Sequence, residues 1–136
     1  IKAMVAGECE VAIANTYYLG GMLAAEDAAT REVAEQVQVI WPNQANRGTH
    51  INVSGAALIK GAKNKSNAEK LLDYMLTESA QQWYAQVNHE YPVINGVAWS
   101  PELESFGTFK AENVPLFEVG ANNAKALMLM DKAGWK

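Results

Sequence analysis

The chain has 136 residues, of which 49% are apolar and 19% are charged, a balance typical of a soluble globular domain rather than a disordered segment. The formal net charge is -4 and the lysines are scattered, so the sequence predicts no nucleic-acid-binding surface. No apolar run approaches the roughly 20 residues that a membrane-spanning helix requires. Cys9 is the single cysteine, so no disulfide can form within these residues, and we expect a buried thiol.

The first part of the chain predicts a helix end, a strand and two helices, in that order. Residues 1–7 are typical of the last turns of a helix closed by Gly7, so we expect the chain to be part of a longer protein. The compact apolar run 10–14 predicts a buried, parallel strand. Helical spacing follows in two segments, 17–25 and 26–36. Within the first, Gly20-Gly21 either weakens the helix or lets a partner approach closely.

The middle of the chain combines predicted strands with the clearest helical pattern. Segments 37–40 and 51–59 are rich in β-branched residues, and we expect strands there. Ser66-Asn-Ala-Glu69 is a capping-box pattern at a helix start, and the apolar stripe behind it has helical period. Thr77 could cap a second helix within that stripe.

The last part of the chain predicts two more helices. Ser100-Pro101 is typical of a capped helix start. Residues 122–131 form an amphipathic pattern, with Ala126, Leu127 and Met130 on its buried side. Strands that alternate with helices indicate the α/β class, and the pieces look like parts of two lobes rather than one sheet.

The stretch Asn15-Thr16-Tyr17-Tyr18 directly follows the first predicted strand. In open α/β sheets, ligand groups gather just past the carboxyl ends of strands. A phenol has a pKa of about 10, yet a highly charged hard cation can displace its proton and bind the phenolate oxygen. A strand-to-helix turn would let both phenols converge on one ion, although simple packing of the two rings is the commoner outcome for such a pair.

Asn15 could donate its side-chain amide to an anion at the same junction, assisted by the free N–H groups of the following helix. Asparagine also forms helix caps and Asx turns, and the two roles are compatible. His50 and His89 are the only histidines, and they lack a paired metal-binding spacing, so we expect each to be a surface or structural residue.

The segments around these residues resemble the periplasmic ferric-iron-binding proteins of bacterial ABC uptake systems, which are transferrin-like in mechanism. The resemblance begins at Gly7-Glu8-Cys9-Glu10 and includes Ala12-Ile13-Ala14-Asn15-Thr16-Tyr17-Tyr18. It continues through three further segments, 52–59, 67–76 and 90–93. The Asn-x-Tyr-Tyr element is fairly specific, and the rest is typical of two-lobed solute-binding proteins in general.

The resemblance implies a two-lobed, α/β periplasmic-binding-protein fold of which this chain is the carboxy-terminal part. Residues 1–49 would belong to the carboxy-terminal lobe and carry the tyrosine pair. Residues 50–98 would contribute to the amino-terminal lobe, and residues 99–136 would return to the carboxy-terminal lobe.

The same resemblance implies that Tyr17 and Tyr18 bind Fe(III) as phenolates, and that Asn15 helps to hold a synergistic anion such as phosphate or carbonate. A histidine and a carboxylate from the missing amino-terminal portion would complete the ligands. The protein would be a monomer that captures Fe(III) in the periplasm, without catalysis, and delivers it to an inner-membrane ABC permease.

Two alternatives stay open at this point. The same fold could bind a thiamine-like, polyamine or oxyanion solute, with the tyrosines stacking on it or hydrogen-bonding to it. The chain could also belong to an enzyme, for example a transferase built on the same lobes. Against an enzyme, the sequence lacks a Gly-x-Ser-x-Gly nucleophile motif, a phosphate-binding glycine loop and a Cys-x-x-Cys pair.

Overall fold

The computed structural model describes residues 1–135, which form two compact units. The first unit comprises Ile1–Ile40 and Asn52–Thr108, and the second comprises Trp41–Ile51 and Phe109–Lys136. The predicted segments 1–49, 50–98 and 99–136 refer to the lobes of a larger protein, and their assignment to those lobes stays a prediction.

Short helices build the first unit. They are α1 (Lys2–Val5), α2 (Thr16–Leu23), α3 (Ala28–Ala34), α4 (Lys65–Met75), α5 (Glu78–Trp83), a π-helical turn (Tyr84–Asn88) and α6 (Pro101–Ser105). The predicted helix end at Gly7 is confirmed, because Gly7 has a φ of +86° and its N–H donates to the carbonyl of Met4 at 3.0 Å.

Two of the predicted helix caps are confirmed. Thr77 Oγ1 accepts a hydrogen bond from the backbone N–H of Ala80 at 3.4 Å, and this cap separates α5 from α4. Ser100 Oγ accepts from the N–H of Leu103 at 3.3 Å, with Pro101 in the first turn of α6. Each cap satisfies one of the N–H groups that have no partner within the helix.

The capping box predicted at Ser66 and Glu69 is wrong. Helix α4 begins at Lys65, so Ser66 lies inside the first turn, and the preceding Asn64 makes no side-chain cap hydrogen bond. Glu69 instead faces Lys65 one turn earlier, with 3.5 Å between its Oε1 and the lysine Nζ. The pair has the i,i+4 spacing that supports a helix start without a cap.

The predicted strands 10–14, 37–40 and 51–59 are not formed within residues 1–135. The one β pairing there is an isolated parallel bridge between Thr49 and Ala111. A strand needs a neighbouring backbone to hydrogen-bond with, and an apolar run does not specify that neighbour. Val11 is 71% exposed and Ile13 is 84% exposed, so the first of these runs is also not buried in this structure.

The core of the first unit gathers where α2 meets α3, α6 and the π-helical turn. Its buried apolar residues are Leu19, Ala34, Ala80, Ala85, Val97, Leu103 and Phe106. Three of the seven are alanines, which let backbones approach closely. The closest approach is at Gly20, where an added Cβ would lie 2.6 Å from the Cβ of His89.

The second unit joins two segments through Gln44. The Gln44 Nε2 donates to Thr49 Oγ1 at 2.9 Å and to the carbonyl of Lys110 at 3.1 Å, while its Oε1 accepts from the Lys110 N–H at 2.7 Å. Trp41 and Phe109 stack beside it, with ring centroids 4.1 Å apart. These side-chain contacts link the two segments that form the Thr49–Ala111 bridge.

Helix α7 (Leu116–Lys132) is longer than the predicted 122–131, and the predicted burial of its apolar side is wrong. Leu127 is 53% exposed and Met130 is 42% exposed, and Ala126 is also exposed. Helical periodicity predicts an apolar face but not the surface that covers it. The predicted burial of Cys9 is wrong for a similar reason, since it lies in an exposed loop. Among residues 1–135, no helix is both long and apolar enough to cross a membrane.

The contact at Gly20 can be tested by substitution. Gly20→Ala places its methyl group against His89, and we expect the free energy of unfolding to fall by about 1–3 kcal/mol, the usual cost of overpacking. Gly21→Ala is the matched control in the same helix, because its Cβ would lie 4.0 Å from His89 Cδ2. There the gain in helix propensity should stabilise the protein, by up to about 1 kcal/mol. Urea denaturation measures the free energy of unfolding of both variants. Equal changes in the two variants would contradict the close contact between Gly20 and His89.

Candidate metal-binding site

The candidate site lies at the start of α2. Asn15 is the residue before the helix, with an extended backbone (φ -71°, ψ 143°), and its side chain does not cap the helix. The chain therefore turns from an extended segment into a helix at Thr16, as the sequence predicts for this junction. The first N–H groups of α2 point out of the helix end, which favours anions.

Tyr17 and Tyr18 converge although they are adjacent. Successive side chains of a helix point about 100° apart, so neighbouring rings normally diverge. Here the ring centroids are 4.4 Å apart and the ring planes are inclined by 46°. Tyr17 is half-buried, whereas Tyr18 is 55% exposed. The two phenol groups thus lie side by side at the surface.

The Tyr18 hydroxyl has a higher pKa than a free phenol. A hydrogen bond to Tyr17, and then the charge of a neighbouring phenolate, raise the pKa of Tyr18 above its ordinary value. For comparison, burial raises the pKa of Tyr91 to about 12. The pKa values of Tyr18 and Tyr91 are therefore raised by different causes. At neutral pH Tyr18 is therefore uncharged.

Asn15 links the pair to a more distant segment. Its Nδ2 donates to the Tyr17 hydroxyl at 3.2 Å, and its Oδ1 accepts from the Nδ2 of Asn52 at 3.3 Å. The Asn15 amide is therefore aimed at the phenol oxygen rather than at its own backbone. Sequence reasoning did not identify Asn52, because it lies 37 positions further along the chain and no local pattern marks it.

His89 supports α2 from behind. Its side chain is buried against Gly20, and its backbone adopts a left-handed conformation (φ 55°) that ends the π-helical turn. Its Nδ1 lies 3.5 Å from Ser100 Oγ and 3.5 Å from Glu102 Oε2, which orient the ring from α6. The prediction that His89 is structural agrees with this packing.

An open pocket of about 630 Å³ lies beside the tyrosines. Its lining residues are Tyr17, Gly21, Ala24, Val87, Asn88, His89 and Glu90. Ser54 Oγ donates to Glu90 Oε1 at 3.2 Å, and Glu90 lines the same pocket as Tyr17. Sequence reasoning missed Glu90 as a pocket residue, and the only available signal was its position beside Tyr91-Pro92.

His50 does not join the site. It lies in the second unit, where its Nδ1 pairs with the carboxylate of Glu112, and Arg47 Nε lies 3.8 Å from the other carboxylate oxygen. Within the described chain, no three histidine, cysteine, aspartate or glutamate side chains gather closely enough to hold a metal ion. The oxygen donors that the structure does bring together are those of Tyr17, Tyr18 and Asn15.

Known proteins with similar sequences are iron-transport proteins. The chain is 44% identical over 136 residues to iron uptake protein A1 of Synechocystis sp., and it covers 38% of that protein's length. The chain thus spans about two fifths of the length of the curated relatives it matches, since the share for iron uptake protein A2 of the same organism is 40%.

Solved structures match the fold closely. The ferric binding protein from Campylobacter jejuni superposes with a TM-score of 0.92 at 36% identity, over 98% of this chain and 42% of that one. A Trichodesmium protein solved in complex with iron and citrate ligands gives a TM-score of 0.93 at 40% identity, over 99% of this chain and 43% of that one. These matches confirm the predicted fold class, in which the chain forms part of a two-lobed α/β periplasmic-binding-protein fold.

The family is identified from most of the chain. The model of the bacterial extracellular solute-binding proteins matches residues 3–111, a range that includes the tyrosine pair, Asn52 and His89. The chain belongs to the bacterial extracellular solute-binding protein family.

Proposed function

We propose that the protein binds Fe(III) outside the cytoplasm, with the phenolate oxygens of Tyr17 and Tyr18 as metal ligands. The observation that carries the proposal is the convergence of the two rings, whose centroids are 4.4 Å apart at the start of α2. Successive side chains of a helix normally diverge, so this convergence brings two phenol oxygens towards one place at the helix end. Two oxygen donors that become anionic suit a small, highly charged cation.

Fe(III) supplies the driving force that this pair requires. The hydrogen bond to Tyr17 raises the pKa of Tyr18, so a metal ion has to displace a more tightly held proton. Only a strongly polarising ion lowers the pKa of a bound phenol enough to release that proton at neutral pH. The site therefore favours trivalent iron over divalent ions of similar size.

Asn15 would hold a synergistic anion next to the metal. Its amide nitrogen carries two hydrogens, so one can donate to Tyr17 while the other donates to an anion. The N–H groups at the start of α2 would add to that anion site. Phosphate and carbonate fit this chemistry, and so does citrate, which accompanies iron in the Trichodesmium relative.

The wider role follows from the relatives. We propose that the complete protein is a monomer of the periplasm which carries Fe(III) to an ABC permease of the inner membrane without catalysing a reaction. In this proposal, residues 1–49 and 99–136 belong to the carboxy-terminal lobe and residues 50–98 to the amino-terminal lobe. The remaining iron ligands come from a portion of the protein that precedes this chain.

Removal of either phenol oxygen tests the metal site. Tyr17→Phe and Tyr18→Phe keep the ring and delete the donor. In the full-length protein loaded with Fe(III), we expect the visible phenolate-to-iron charge-transfer band to weaken in each variant and to disappear in the double variant. Loss of an outer-shell partner of a metal ligand costs roughly 10- to 100-fold in metal affinity. Loss of a ligand itself should cost more, so iron retention against a chelator should fall by more than that factor.

Tyr74→Phe is the matched control for these variants. Tyr74 is 56% exposed on α4, compared with 55% for Tyr18, and it lacks a tyrosine neighbour in sequence. Its replacement should leave the band and the iron retention unchanged. If Tyr17→Phe and Tyr18→Phe also left both unchanged, the proposed function would be wrong.

Iron binding should release protons. Because the pKa of Tyr18 is raised, its protonated form is favoured, and protons compete with iron more strongly as the pH falls. At a fixed free Fe(III) concentration, retention should therefore increase with pH, by about tenfold per pH unit for each displaced proton. A pH-stat titration with one ferric chelate counts the protons released. Tyr18→Phe should release one proton fewer than the wild type, and equal release would show that Tyr18 is not a ligand.

Asn15→Ala tests the anion. The wild type should retain Fe(III) better when phosphate, carbonate or citrate is present than when the buffer lacks them, and the variant should lose most of that difference because the amide donor is gone. Chelator competition with and without each anion measures this difference in iron retention. Asn64→Ala is the control, since Asn64 also precedes a helix without capping it through its side chain. An anion effect of wild-type size in Asn15→Ala would contradict the assignment.

A further inference from the structure

Two consecutive side-chain hydrogen bonds connect Asn52, through Asn15, to the Tyr17 hydroxyl. Asn52 Nδ2 donates to Asn15 Oδ1 at 3.3 Å, and Asn15 Nδ2 donates to the Tyr17 hydroxyl at 3.2 Å. Asn52 is exposed and Asn15 is half-buried, and both belong to the first unit. The hydrogen bonds run in one direction, from Asn52 towards the phenol.

The direction of these two hydrogen bonds matters only when the Tyr17 oxygen is a phenolate, as it would be when bound to a metal ion. A neutral phenol can donate or accept, so it is compatible with either end of the Asn15 amide. A phenolate can only accept, so it needs the Nδ2 end, and the Oδ1 end would repel it. Asn52 occupies the Oδ1 end of Asn15, which leaves the Nδ2 end for Tyr17.

We propose that Asn52 is a positioning residue of the iron site, an inference that rests on the proposed function. Asn52 holds the Asn15 amide in the orientation that stabilises a Tyr17 phenolate, and it thereby favours the metal-bound state before iron arrives. Hydrogen bonds in series polarise one another, so the donation from Asn52 also strengthens the bond from Asn15 to Tyr17.

Two substitutions separate orientation from mere contact. Asn52→Leu keeps the side-chain size but removes the donor, so the Asn15 amide can turn either way. Asn52→Asp supplies only acceptors, so the amide should turn its Nδ2 towards the new carboxylate and its Oδ1 towards the phenolate. Iron retention should decrease in the order wild type, Asn52→Leu, Asn52→Asp, with a loss of about 10- to 100-fold, as for other outer-shell partners of metal ligands.

The charge-transfer band reports the phenolate directly. A hydrogen bond lowers the energy of the phenolate electrons, so its loss should move the band of the iron-loaded protein to longer wavelength in both variants. A residue with a purely structural role would change the amount of bound iron but not the position of the band. Val53→Asp is the charge control, because it adds a carboxylate at the next position, where the side chain is 42% exposed. Its band should stay at the wild-type wavelength.

The outcomes for the inference and for the proposed function are distinct. If the wild type binds iron but the Asn52 variants keep its band position and retention, the inference is overturned and the proposed function stands. If the wild type shows no charge-transfer band, both are overturned. In the iron-free protein, the side-chain amide NMR signals of Asn15 should shift in Asn52→Leu and Asn52→Asp but not in Val53→Asp. Unshifted signals in a folded Asn52 variant would also overturn the inference.

Discussion

The backbone of α2 rests on the side chain of His89, and the position of the tyrosine pair depends on that contact. The helix can come this close only because Gly20 has no side chain, as an added Cβ would lie 2.6 Å from the Cβ of His89. Ser100 and Glu102 hold the imidazole from the other side. Tyr17 precedes Gly20 by one turn, so this contact fixes the part of α2 from which its ring projects.

The chemistry of the site follows from the same geometry. The contact between the two phenols raises the pKa of Tyr18, chiefly through a hydrogen bond to Tyr17. If the pair binds a metal ion as proposed, the ion would have to displace the proton of Tyr18. In the proposed site, the raised pKa of Tyr18 would disfavour weakly polarising ions, which cannot displace that proton.

The sequence predicted the parts of this structure that depend on neighbouring residues. Thr77 and Ser100 cap their helices as expected, because a cap bonds to an N–H only three positions away. Segment 10–14 was expected to be a strand, but a strand forms only beside a second segment with which it can hydrogen-bond. The local sequence pattern does not show which segment that is. The same limit explains Asn52, whose partner lies 37 positions away. The metal-binding role of the pair came from family resemblance, since adjacent tyrosines alone usually pack.

The exposure of Tyr18 bears on how such a site would exchange its ion. Tyr18 remains 55% exposed beside an open pocket, so two phenolates would hold Fe(III) on one side only. An octahedral ion bound in this way keeps positions for an anion and for ligands from elsewhere in the protein. Since water reaches Tyr18 in this part of the protein, a phenolate that lost the ion there would not be left as an uncompensated buried charge.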